Sequence, residues 1–153
     1  MVRLSDLEDT YAAHLRGLPL PSFETTPWAE PPKPAEARVA IVSTAGLHRR
    51  SDATFALGAA DYRIIPGDLD AADVVMSHVS VNFDRSGFQQ DMNVVFPLSR
   101  LQELAEAGEI GSVASWHYSF MGATDPTAME EMARKAAGLL REDGVTCALL
   151  VPV

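Results

Sequence analysis

Four segments of this sequence hold side chains able to do chemistry. The first is Ser43-Thr-Ala-Gly-Leu-His-Arg-Arg-Ser-Asp52. Its small residues let the backbone of Thr44, Ala45 and Gly46 approach a ligand, and an amide nest there holds an anion such as a carboxylate. His48, Arg49 and Arg50 follow, a cationic cluster in an acidic chain. A plain strand-to-loop turn with solvated arginines is the other reading. The spacing is neither a G-x-G-x-x-G fingerprint nor a P-loop.

The second segment runs from Ser77 to Asn93 and holds His78, Asn82, Asp84, Arg85 and Asp91, with Phe83 and Phe88 between them. His78 beside Asp84 or Asp91 would make an oriented general base. Alternatively these side chains bond the loop's own backbone and hold its shape. The third, Ser115-Trp-His-Tyr-Ser-Phe-Met-Gly122, offers His117 and Tyr118 among aromatic rings. That composition suits a pocket wall with a polar handle, and equally a core cluster with one satisfied histidine. The fourth is GVTCALLVPV, residues 144–153, which reads as a buried strand carrying Cys147 as an inert thiol. His48, His78, His117 and Asp84 lack the tight spacing of a zinc site, so no metal is expected.

These segments need elements to position them. A Ser5-x-x-Glu8 capping box and a helical stripe from Leu4 to Leu18 predict a helix over about 6–17, within an N-terminal unit 1–18. Residues 19–37 hold six prolines and no glycine, an extended, stiff arm on which Phe23 and Trp28 are expected to pack. Residues 38–153 form the α/β domain. Strands are expected at 38–43, 62–65, 72–77, 111–117 and 146–151, with 44–61 and 79–92 as polar loops and 93–96 as strand or turn. Ser99 caps a helix over about 100–107 stopped by Gly108. Asp125-Pro126 opens another that reaches about 142 and ends at Gly144. This alternation predicts an α/β fold: a mostly parallel sheet with packed helices, three-layer and flavodoxin-like or partly doubly wound. In such sheets ligands sit beyond the carboxyl ends of strands, where all four segments fall.

The chain has 153 residues and a net charge of −9. One core is the expected size, and the charge argues against binding nucleic acid or anionic membranes. There is no run of about 18 apolar residues and no signal-peptide pattern at the start, so the expected location is the cytoplasm. A single cysteine excludes an internal disulfide framework.

Taken in order, STAGLH, SHVSVNFDRSGFQQDMNVVFPLSRL, GEIGSVASWHYSFMG and EDGVTCALLVPV resemble the selenoprotein-B family of glycine, sarcosine, betaine and D-proline reductases, in particular its short stand-alone bacterial members. The likeness runs from about residue 38 to Val153. It implies a selenolate, or sometimes a thiolate, that attacks carbon next to nitrogen and displaces the amine, with thiols resolving the product and forming a disulfide. It places that nucleophile in a U-x-x-C motif directly after the strand matching CALLVPV. The expectation is therefore that Val153 precedes a UGA codon and that this chain alone is inactive. Around the selenium the likeness places His48, His78, Asp84 and His117 as catalytic groups, with Thr44, Ala45, Gly46, Asn82, Asp91 and Tyr118 on the substrate. It implies a small amino-acid-like substrate, a thiol reductant, other reductase subunits, and an amine activated either by a pyruvoyl group on one of them or by being already quaternary. A homodimer is expected to hide the last strand. The alternative is a complete, non-catalytic binding or interaction subunit; a metal-dependent hydrolase ranks behind both.

Overall fold

A computed structural model describes residues 3–18, 21–22, 24–80 and 85–153. The Arg38–Ser43 run, β-branched and apolar, is the first strand (β1) and the centre of the main sheet. On one side it pairs in parallel with Cys147–Val151 (β7), from Val39↔Cys147 to Ser43↔Val151. On the other it pairs in parallel with Ser112–Val113 (β5) and then with Trp116–Ser119 (β6). Arg63–Pro66 (β3) closes that side, antiparallel to β6. The sheet is thus mostly parallel with one antiparallel edge, and the fold is α/β.

β5 and β6 are one strand broken in the middle. β1 advances three positions from Val39 to Val42, while its neighbour advances five from Val113 to Tyr118. Such a bulge strands a ladder donor. The Ile41 amide is that donor, and His117 Nδ1 accepts it at 2.9 Å.

Side-chain alternation along β1 builds two cores. Val39 and Ile41 face Val95, Phe96, Leu98 and Leu101, which surround the helix Leu98–Glu106 (α3). Val42, Tyr118 and Phe120 face Met132, Ala136, Leu139 and Leu140 of the helix Glu130–Glu142 (α4). Helices therefore cover both faces of the sheet. Arg38 ties its base together: its guanidinium bonds the Asp143 carboxylate at 2.7 Å, the Val113 carbonyl at 2.8 Å and Ser115 Oγ at 3.0 Å. Burial alone would raise the Asp143 carboxyl, but bonds from Arg38 and from the Trp116 and Ser115 amides outweigh it and hold it below its usual range.

Several expectations need correction. Residues 44–61 are not all loop: Leu47–Arg49 (β2) pairs antiparallel with Val74–Met76 (β4) in a small separate sheet. The 79–92 loop contains a short helix, Ser86–Gln90 (α2), and 92–94 is a single 3-10 turn. The first helix (α1) is only Asp9–Arg16, capped by the Glu8 carboxylate, while Ser5 bonds Asp6. Ser99 caps nothing; its hydroxyl bonds Asn93, and α3 starts earlier at Leu98. Asp125 holds a turn through the Thr127 amide, so α4 begins later, at Glu130. Gly108 and Gly144 do end their helices, at φ +72° and +70°. Trp28 is 89% exposed and does not pack as expected among the described residues; Phe23 lies outside the described residues.

The largest correction concerns β7. It was expected buried, yet it is an edge strand with residues 147–150 exposed, Cys147 among them. Among the described residues, no helix is long and apolar enough to cross a membrane.

Candidate functional site

The parallel strands β1, β6 and β7 end side by side, and Thr44–Gly46 sits where they end. Every backbone amide of this segment is engaged. Thr44 N donates to the Val151 carbonyl at 3.1 Å, Ala45 N to Ser43 Oγ at 3.2 Å, and Gly46 N to the Phe120 carbonyl at 2.9 Å. The segment is therefore not an empty amide nest. The Thr44 and Gly46 amides hold the chain of β7 and the chain just past β6, and the Ala45 amide bonds back to Ser43.

The same three residues gather all four chemistry-bearing segments. Gly46 accepts the Ser77 amide at 2.9 Å, bringing the second segment in. It adopts φ +65°, and a Cβ there would meet His78 N and Cα at 3.1 Å, so His78 packs directly against it. The third segment arrives through Gly122, whose amide donates to the Thr44 carbonyl at 2.8 Å, and through Met121, bridged to Ala45. The fourth arrives through Val153. Its amide donates to Thr44 Oγ1 at 2.8 Å, and that hydroxyl lies 3.2 Å from the Val153 carbonyl, to which it donates. A Cβ on Gly122 would stand 2.3 Å from the Val153 carbonyl oxygen, so only glycine lets the chain pass here.

A cleft of about 840 Å³ opens beside Gly122, lined by Leu18 and Pro21 on one side and residues 122–127 on the other. That is within the size range of small-molecule sites. Gly122 and the cleft were missed by sequence reasoning. A glycine closing an aromatic run at a strand end was the available signal.

The histidines differ in their surroundings. His78 is buried; its Nδ1 accepts the Ser80 amide at 3.2 Å, and its carbonyl accepts from Arg85. Burial, then the Arg85 charge, lowers its pKa and keeps it neutral. His48 is buried in β2 with Nδ1 2.8 Å from the Arg49 carbonyl, edge-on to Phe55, and its Nε2 has no hydrogen-bond partner among the described residues. His117 is fully buried in the bulge, edge-on to Phe96. Burial pushes its pKa down to about 4, partly offset by Asp143.

Other expected site residues stand apart. Tyr118 faces α4, lining a groove of about 380 Å³ with Ile64, Trp116, Leu139, Glu142 and Asp143. That groove lies toward the opposite ends of the strands, near the Arg38–Asp143 pair. Asp91 is exposed and bonds the Asn93 amide and side chain at 2.9 and 2.8 Å, which lowers its pKa. Asn82 and Asp84 lie outside the described residues. Cys147 starts β7, four residues before Val151 at the hub end. No group of three or more His, Cys, Asp or Glu placed to hold a metal occurs among the described residues.

Residues 8–152 match the family described as glycine/sarcosine/betaine reductase selenoprotein B. The chain belongs to that family. It is also 35% identical over 115 residues to the D-proline reductase subunit gamma of Acetoanaerobium sticklandii, a match covering 73% of this chain and 47% of that subunit. The chain thus spans about half the length of this curated relative. No solved structure matches.

Proposed function

We propose that this chain forms the substrate side of a selenoprotein-B-type reductase site, where a carbon–nitrogen bond of a small amino-acid-like substrate is reductively cleaved. The meeting of four segments on Thr44–Gly46, in a member of this family, carries the reading. The nucleophile is the selenocysteine or cysteine that follows Val153 in the family pattern, and it enters between Thr44 and Gly122, beside the cleft. The family fold it completes is three-layered and flavodoxin-like.

A selenolate, like a low-pKa thiolate, is ionised at neutral pH and nucleophilic. It attacks the carbon, and the amine leaves with a proton. A first thiolate then attacks selenium and releases the carbon, which takes a proton. A second thiolate frees the selenium and completes a disulfide. In balance, one C–N bond becomes C–H and N–H, and two thiols become one disulfide. His78, kept neutral beside Gly46, suits the proton transfers. His48 and Asp84 are further candidates for that task, and the burial of His117 supports a positioning part. Asn82 and Asp91 stay proposed as substrate contacts, and Tyr118 only for a ligand in the groove against α4. A thiol system in the cytoplasm would supply the electrons, and the amine would be activated by a pyruvoyl group on a partner subunit or by being already quaternary.

The test is the coding sequence beyond the Val153 codon. A UGA or cysteine codon opening a U-x-x-C or C-x-x-C motif is expected. A UAA or UAG directly after Val153 would overturn the reading. It would favour the second one, a non-catalytic binding or interaction subunit, which the relative's description as a subunit supports. In that case a homodimer through the open β7 edge is the arrangement expected.

A further inference from the structure

β7 is paired on one side only: one of its edges pairs with β1, and no strand lies on the other among the described residues. From Gly144 to Val153 there is no charged residue. Leu149 is 37% and Leu150 69% exposed, on opposite faces of the sheet. Exposed edges are normally blunted by charge, proline or a bulge. Within Cys147–Val151 there is none of these. The pairing with β1 is regular over five residues, so the edge is straight enough to template another strand.

The apolar content of β7 points the same way. A strand rich in aliphatic residues on both faces is the pattern of an internal strand of a parallel sheet. In the chain as described, β7 has that composition in an edge position.

The structure assigns this edge an occupant: resting on the family reading, we infer that β7 is an internal strand, paired on its open side by a strand from the polypeptide that longer family members carry outside the matched region. The relative supplies the length, because the match takes in only 47% of it. The incoming strand is apolar on both faces, since it meets Leu149 on one and Leu150 on the other. Thr44 fixes the far end of β7, so the added strand also finishes the wall of the site next to Val153.

The sole cysteine makes this measurable, because Cys147 lies on β7 and is exposed. The unmatched portion of the D-proline reductase gamma subunit is co-expressed with this chain, and separately fused to it through a flexible linker. Expected are a one-to-one complex, Cys147 labelling by a thiol reagent slowed roughly tenfold or more, and slowed amide exchange over 147–151. Leu150→Lys, at an exposed position, should abolish all three while leaving the free chain folded. Unchanged labelling and exchange in the fusion would overturn the inference. So would protection of Cys147 in the chain alone at rising concentration, which would make a second copy the occupant. A complex lacking thiol-dependent C–N cleavage would count against the function, not the strand.

Discussion

Thr44 and Val153 are locked together through one hydroxyl: Thr44 Oγ1 accepts the Val153 amide at 2.8 Å and bonds its carbonyl at 3.2 Å. A side chain at the end of the central strand thereby holds the chain just beyond the end of its neighbour. Thr44→Val keeps the shape and removes both bonds. It should cost about 1–2 kcal/mol and speed amide exchange at Val153, while Thr44→Ser should restore slow exchange. An unchanged Val153 amide in Thr44→Val would show that the hydroxyl holds nothing.

Gly122→Ala tests the same junction from the third segment. The new Cβ would stand 2.3 Å from the Val153 carbonyl, so residues 151–153 must move. Exchange there should rise with little change in β1. Gly46→Ala acts differently, through its φ of +65° and the His78 backbone, and should destabilise the fold by about 1–2 kcal/mol. Urea titration separates the global effect from the local one.

His117 governs the acid side of stability. Its pKa in the fold is about 4, against 6.5 when unfolded. Between those values the unfolded chain binds the extra proton, so stability is fully present above about pH 6.5 and falls as pH drops toward 4. The linked loss approaches about 3 kcal/mol below pH 4. Burial of His78 lowers its pKa too and adds loss in the same direction. His117→Leu should flatten this dependence, but it orphans the Ile41 amide and costs about 1–3 kcal/mol at neutral pH. Denaturation midpoints at about pH 7.5 and about pH 5 check both statements.

Trp28→Ala should leave stability within about 0.5 kcal/mol, because the ring is almost fully solvated. A larger change in melting temperature would mean that the arm is docked in solution.

Local pattern made much of this legible. β1, α4 and the helix stops at Gly108 and Gly144 follow from periodicity and αL glycines, which act within a few residues. The rule that ligands gather at strand ends places the four segments together from sequence alone. What stayed hidden depends on partners far along the chain. β2 is three residues long and exists because Val74–Met76 pairs with it. His117 serves the ladder because a bulge strands Ile41, and no spacing announces a bulge. The exposure of β7 was unreadable because its sequence has the apolar pattern of an internal strand while its open edge depends on chain outside this sequence.

The most direct test of the account is the intact mass and selenium content of the native protein purified from its source. The account predicts a species heavier than 16.5 kDa whose peptide map runs through Val153 into a selenium-bearing residue or a thiol alkylated at low pH. A 16.5 kDa protein with Cys147 as its sole thiol and no selenium would contradict it.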